Sequence, residues 1–153
     1  MPGAKPGAKP GAKPGARIDA SHEVLEHVGE LELCVRAPDL PGLLREAGAA
    51  LAVELLRGEA GTPDSTTVVI ELQAADRAAL LVDWLNELVY RADAEGRVLT
   101  EFEFERADEG GLRCRARGVR AVGDVPVKAA TFHGLAVETD AEGALQARVI
   151  LDI

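Results

Sequence analysis

From Leu31 the chain alternates apolar and polar residues, Leu31-Glu32-Leu33-Cys34-Val35-Arg36, which predicts a half-buried strand. Pro38-Asp39 then opens a helix in which Leu40, Leu44, Ala47, Leu51 and Leu55 recur at three- and four-residue steps, with Gly58 as its stop. Gly61-Thr62-Pro63-Asp64 reads as a loop, and Val68, Ile70 and Leu72 alternate in a second strand. Asp76 is placed to cap a second helix. Leu81, Trp84, Leu85 and Leu88 form its buried stripe, polar Asp83, Asn86 and Glu87 fall between them, and it ends near residues 93–96.

Strands follow. Residues 98–106 put Phe102 and Phe104 on one face and Glu101, Glu103 and Glu105 on the other. Residues 112–118 answer with Leu112, Cys114 and Ala116 inward and Arg113, Arg115 and Arg117 outward, across the turn Asp108-Glu109-Gly110-Gly111. The Arg-x-Arg-x-Arg run could suggest nucleic acid, but three arginines opposite three glutamates fit complementary cross-strand pairs better. A last hairpin joins residues 132–138 and 145–151. The order strand, helix, strand, helix, then several strands predicts an α+β fold, two helices packed on a mostly antiparallel or mixed sheet.

Composition sets bounds on this picture. The chain has 153 residues, 47% hydrophobic and 28% charged, with a net charge of −9, which suits one domain and excludes collagen-like or wholly disordered classes. No apolar run is long enough to span a membrane as a helix, and no apolar N-terminal region predicts a secretory signal. Residues 1–17 repeat Pro-Gly-Ala-Lys and end in Pro-Gly-Ala-Arg; they carry +4, leaving −13 on residues 18–153. Proline at every fourth position rules out a regular helix. The segment reads as a disordered, solubilising tail; a weak tether for RNA or an acidic partner is the alternative, and the domain is expected over residues 18–153. An acidic body argues against general phosphate-backbone binding. Cys34 and Cys114 fit neither a disulfide scaffold nor a Cys-based zinc site, so a reducing, cytoplasmic compartment is expected.

The motifs of a self-contained enzyme are missing: no Gly-rich phosphate loop ending in Lys-Ser/Thr, no Gly-x-Ser-x-Gly, no His-Glu-x-x-His. The C-terminus stands out. The apolar run Val149-Ile150-Leu151 ends in Asp152-Ile153, bringing a side-chain carboxylate and a terminal carboxylate one residue apart. Two such anions repel unless a cation or hydrogen-bond donors offset them, and all-oxygen ligands suit a hard cation. Lys128 is a lone cation among small residues, a candidate contact to phosphate or carboxylates. His133 lies on a strand and reads first as a structural histidine.

These residues carry a resemblance. Val127-Lys128-Ala129-Ala130-Thr131-Phe132-His133-Gly134-Leu135 and Val149-Ile150-Leu151-Asp152-Ile153 resemble two distinctive motifs of the archease family. Asp83-Trp84-Leu85-Asn86-Glu87-Leu88-Val89-Tyr90 resembles its helix motif, and Glu26-His27-Val28-Gly29-Glu30 its N-terminal His-Thr-Ala-Asp segment. The resemblance spans about residues 21–153 and implies a non-catalytic protein cofactor of an RtcB-type RNA ligase. Such a cofactor promotes the ligase's guanylylation and multiple turnover in tRNA splicing and RNA repair, and meets RNA only through the ligase. It further implies a divalent metal, Ca²⁺ with Mg²⁺ or Mn²⁺ as alternatives, held by Glu30, Asp152 and the terminal carboxylate of Ile153. Lys128, His133 and His27 would belong to the tip that meets the partner. This chain departs from the pattern in carrying Glu30 for aspartate and Val28 for threonine. Two other readings stay open: a stand-alone metal-dependent enzyme acting on phosphates, and a chaperone-like interaction module.

Overall fold

The computed structural model describes residues 17–153, and for residues 132–136 the backbone alone. The repeat tail through residue 16 and the side chain of His133 lie outside the described residues. Seven strands and two helices follow in the order β1 (Ser21–His27), β2 (Glu30–Ala37), α1 (Leu40–Leu56), β3 (Thr62–Gln73), α2 (Arg77–Glu95), β4 (Arg97–Asp108), β5 (Gly111–Arg120), β6 (Ala129–Thr139) and β7 (Leu145–Asp152). The strands divide into two sheets, β1-β2-β7-β6 and β3-β5-β4, and every neighbouring pair is antiparallel. The α+β expectation holds in its antiparallel form.

Local chemistry sets the helices. Asp39 caps α1 by accepting from the Gly42 N–H at 2.8 Å, with proline in the first turn, and Asp76 caps α2 through the Ala79 N–H at 2.8 Å. The first helix stops one residue before the expected glycine. Arg57 itself takes the left-handed conformation at φ 53°, and its N–H and that of Gly58 close onto the Glu54 and Val53 carbonyls.

Both helices touch both sheets and share one core with them. Trp84 is fully buried at its centre, edge-on to Phe102 with ring centroids 5.3 Å apart and tilted onto Phe104 at 5.2 Å. Its indole N–H donates to the Leu44 carbonyl at 2.9 Å, so the polar end of the largest core side chain is satisfied inside α1. Gly48 makes this packing possible: a Cβ there would lie 2.9 Å from the Phe102 ring.

Two expectations are corrected. No strand was read before Leu31, yet Ser21–His27 pairs along its whole length with β2. Six of its seven residues are exposed, so the periodic burial that marks a strand in sequence is missing. Residues 62–64 were expected in a loop and instead begin β3. Pro63 is tolerated because β3 is an edge strand, and Asp64 is held at 3.3 Å by both Arg97 and Arg120.

Candidate functional site

The β1–β2 turn is Val28-Gly29, with Gly29 at φ 77°. That conformation suits glycine, and open space lies where a Cβ would go, so the backbone alone imposes the residue. The turn sets Glu30 at the start of β2, where the register places it opposite Asp152 of β7. Ile153 continues the ladder, its N–H donating to the Gly29 carbonyl at 3.3 Å. On the other flank, Asp152 faces Ala129 of β6 and its carbonyl accepts the Lys128 N–H at 2.8 Å. Three segments distant in sequence thus meet at one end of the four-stranded sheet.

The electrostatics there are unusual. Residues directly opposite across antiparallel strands share a face, and like charges in that position repel. Because Ile153 and Gly29 form the hydrogen-bonded pair, Glu30 and Asp152 form the closer, non-bonded kind, with Cα atoms about 4.5 Å apart. Glu30 is half-buried, while Asp152, Ile153 and Lys128 are exposed. Among the described residues, no three His, Cys, Asp or Glu side chains gather into a metal-holding group. The side chains therefore offer two carboxylates, both hard oxygen donors.

One step along the same face the charges are matched. Glu32 accepts from Arg148 at 2.9 Å and meets His27 Nε2 at 3.1 Å. The Arg148 hydrogen bond, and secondarily that of His27, hold the Glu32 carboxyl below the usual range. His27, expected at the tip, is thus engaged with Glu32.

Asn86 was read only as a polar position between core residues. It faces β6, donating Nδ2–H to the Ala130 carbonyl at 3.1 Å and accepting the Ala130 N–H on Oδ1 at 2.8 Å. One amide thus satisfies both backbone groups of an edge-strand residue. It fastens the start of β6, and with it Lys128, to α2. Nothing in the spacing of Asn86 announces this; its place on the border of the apolar stripe was the one available signal. Beside it a cleft of about 410 Å³ is lined by Val89, Tyr90, Asp93, Val125, Val127 and Lys128. Buried Val127 anchors the segment, and Tyr90, 58% exposed, stands at the surface.

Of the expected site residues, the structure brings Glu30, Asp152, Ile153 and Lys128 together through main-chain register. The expected glutamate–arginine pairs form in β4 and β5, with Arg113–Glu105 at 2.9 Å and Arg117–Glu101 at 3.1 Å. Cys34 is half-buried and Cys114 buried, both free; burial pushes the Cys114 thiol up to about 11. No described helix is long and apolar enough to cross a membrane.

The chain has known relatives in sequence and in fold. The model of the archease protein family matches residues 22–153. A protein archease from Methanopyrus kandleri is 32% identical over 139 residues, covering 86% of this chain and 98% of its own. One from Methanosarcina mazei is 27% identical over 141 residues, covering 86% and 95%. The solution structure of a Methanobacterium thermoautotrophicum protein superposes with a TM-score of 0.64 at 26% identity, covering 86% of this chain and 98% of that one. A Thermotoga maritima crystal structure, described as an archease and possible chaperone, shares the fold with a TM-score of 0.60 at 20% identity, over 84% and 94%.

Proposed function

The chain belongs to the archease family, and from that premise we propose that it is a non-catalytic activator of an RtcB-type RNA ligase. In this reading the end of the four-stranded sheet enters the ligase near its nucleotide and metal site and favours guanylylation and repeated turnover in tRNA splicing and RNA repair. It acts in the cytoplasm, and RNA is handled by the ligase. The observation that carries the reading is the register that sets Glu30 opposite Asp152 with the Lys128 N–H on the Asp152 carbonyl.

Glu30, Asp152 and the Ile153 carboxylate would hold a divalent cation, Ca²⁺ first and Mg²⁺ or Mn²⁺ as alternatives. Bound there, it would supply positive charge beside developing anionic oxygens. The chain's own part is positional. Main-chain ladders fix the carboxylates in place, Asn86 fixes the segment bearing Lys128, and exposed Lys128 is available to a phosphate or carboxylate of the partner. His27 and His133 belong to the same proposed contact region. Glutamate at position 30 adds a methylene to the donor arm and keeps its charge.

The test mixes the full chain with an RtcB-type ligase, GTP and a divalent metal, and follows the guanylylated ligase. The wild-type chain is expected to accelerate guanylylation and Asp152→Ala to lose at least tenfold of that effect, with its far-UV spectrum unchanged. Equal stimulation by Asp152→Ala would reject the tip as the active part. Phosphate release by the chain alone would favour a stand-alone enzyme. Suppression of aggregation of unrelated clients, indifferent to Asp152, would favour a chaperone module.

A further inference from the structure

Sheet edges that invite pairing with another chain are normally blunted by proline, bulges, lysine or a cover. Three of the four edges here follow that rule. β3 carries Pro63 and a register break between Asp64 and Val68; β4 has breaks at Leu99/Glu101 and Phe104/Arg106; β6 breaks after Thr131 and is clamped by Asn86. Among the described residues β1 has no proline, bulge, lysine or covering strand, and only its His22 hydrogen-bonds to α1, at Glu46. Its seven residues run in unbroken register with β2, and six are exposed.

The free hydrogen-bonding groups of β1 can be identified. The Ile153 N–H bonds the Gly29 carbonyl, so odd-numbered residues of β2 bond toward β7 and even-numbered ones toward β1. Their β1 partners are Ser21, Glu23, Leu25 and His27. The N–H and C=O groups of His22, Val24 and Glu26 therefore point outward, unpaired by the sheet.

From this edge we propose that β1 is a homodimerisation strand, pairing antiparallel with β1 of a second copy about a two-fold axis at Val24. Only registers that pair outward-facing residues with one another are allowed. Centring on Val24 pairs all seven residues: Val24 with Val24 of the second copy, His22 with Glu26 twice, Glu23 with Leu25 twice and Ser21 with His27 twice. This register contains no like-charge pair, and it sets each Glu26 opposite the other copy's His22, whose Nδ1 already meets Glu46 of α1 at 2.6 Å. Sliding one way by one allowed step sets Glu23 against its own copy, and sliding the other way leaves only five residues paired. The strand is thus self-complementary in the register that uses its whole length. The joined sheet has eight strands, and the two-fold directs the two Glu30–Asp152 ends away from each other, leaving both accessible.

The seam is one strand pair between two acidic bodies, smaller than a standard interface, so the dimer is expected at tens to hundreds of micromolar and to tighten with salt. Sedimentation equilibrium of the full chain from low to high micromolar tests it. The mass is expected to rise from 16.1 kDa toward twice that value. Val24→Pro removes the central outward N–H and is expected to stay monomeric. Glu26→Lys, an exposed change, is expected to weaken association about tenfold. Val24→Cys is expected to form an intermolecular disulfide under mild oxidation, since opposed hydrogen-bonded residues lie within bridging distance. A mass of 16.1 kDa throughout, or a dimer indifferent to both Val24→Pro and Glu26→Lys, overturns the proposal. So does failure of Val24→Cys to cross-link.

Discussion

In the β4–β5 hairpin each outward glutamate meets an arginine: Glu101 with Arg117 at 3.1 Å, Glu103 with Arg115 at 3.8 Å, and Glu105 with Arg113 at 2.9 Å. At the end of the four-stranded sheet Glu30 faces Asp152, and Lys128 reaches Asp152 through its main-chain N–H alone. Both places set carboxylates on opposed antiparallel positions (in the hairpin at Glu101 and Glu103, since a register break leaves Glu105 to reach Arg113 diagonally), where sign decides the energy. In the hairpin, the charges are neutralised within the fold and contribute register and solubility. At the sheet end the register sets Glu30 opposite Asp152, and among the described residues neither side chain has an ion-pair partner. An acidic chain can therefore carry many surface carboxylates with no function beyond folding and a few whose balance is unfinished.

The largest expected effect comes from unfastening the sheet end while sparing the hairpin. Asn86→Leu keeps approximate volume but leaves the Ala130 N–H and C=O without the amide that satisfies them. Unsatisfied groups of this kind cost about 1–3 kcal/mol each when buried, and the part-buried site should lose about 2 kcal/mol in urea unfolding. Amide exchange is expected to speed at Ala130 and its β6 neighbours, with β5 unchanged. Uniform acceleration in both sheets would mean that the clamp supports the global fold and does not act on one end of it.

The intermediate effect tests the contrast in sign. In metal-free buffer, Asp152→Asn relieves repulsion and is expected to raise stability by about 0.5 kcal/mol, whereas Glu103→Gln removes an attraction and should lower it by about 0.2–1 kcal/mol. Adding millimolar Ca²⁺ should then stabilise the wild-type chain and leave Asp152→Asn behind. Destabilisation by both substitutions without metal would show that Asp152 has an internal partner, and the contrast would collapse.

The hairpin was legible because its charges are local: glutamates at 101, 103 and 105 and arginines at 113, 115 and 117 lie either side of one turn, and period two assigns their faces. Helices α1 and α2 were legible from Asp39, Asp76 and their apolar stripes. The sheet end depends on register between strands more than 100 residues apart, Glu30 with Asp152, which no local pattern encodes; motif resemblance grouped those residues before geometry could. β1 went unread because an exposed edge lacks alternation, and the Asn86 clamp because an amide bordering a helix's buried face looks the same whether it meets water or a strand. Gly58 was read as the helix stop because left-handed caps favour glycine; it takes that conformation at φ 77°, and Arg57 just before it takes it too, at φ 53°.

The smallest expected effect marks where along β2 the balanced regime gives way to the unbalanced one. Glu32 sits two residues from Glu30 on the same face, and the hydrogen bond from Arg148, then that from His27, holds its carboxyl below the ordinary value of 4.5. A carboxylate that protonates less readily folded than unfolded stabilises the fold above its unfolded pKa, and that contribution is lost as the pH falls through the lowered folded value. Arg148→Met removes the leading cause. The variant should therefore be less stable than wild type at neutral pH, and the two stability curves should converge as the pH falls through the lowered folded value and Glu32 protonates in both. High salt should narrow the neutral-pH gap, because Arg148 is exposed. Urea midpoints from pH 7 to pH 3 measure this. Parallel curves across that range would mean that Arg148 stabilises by packing its stem.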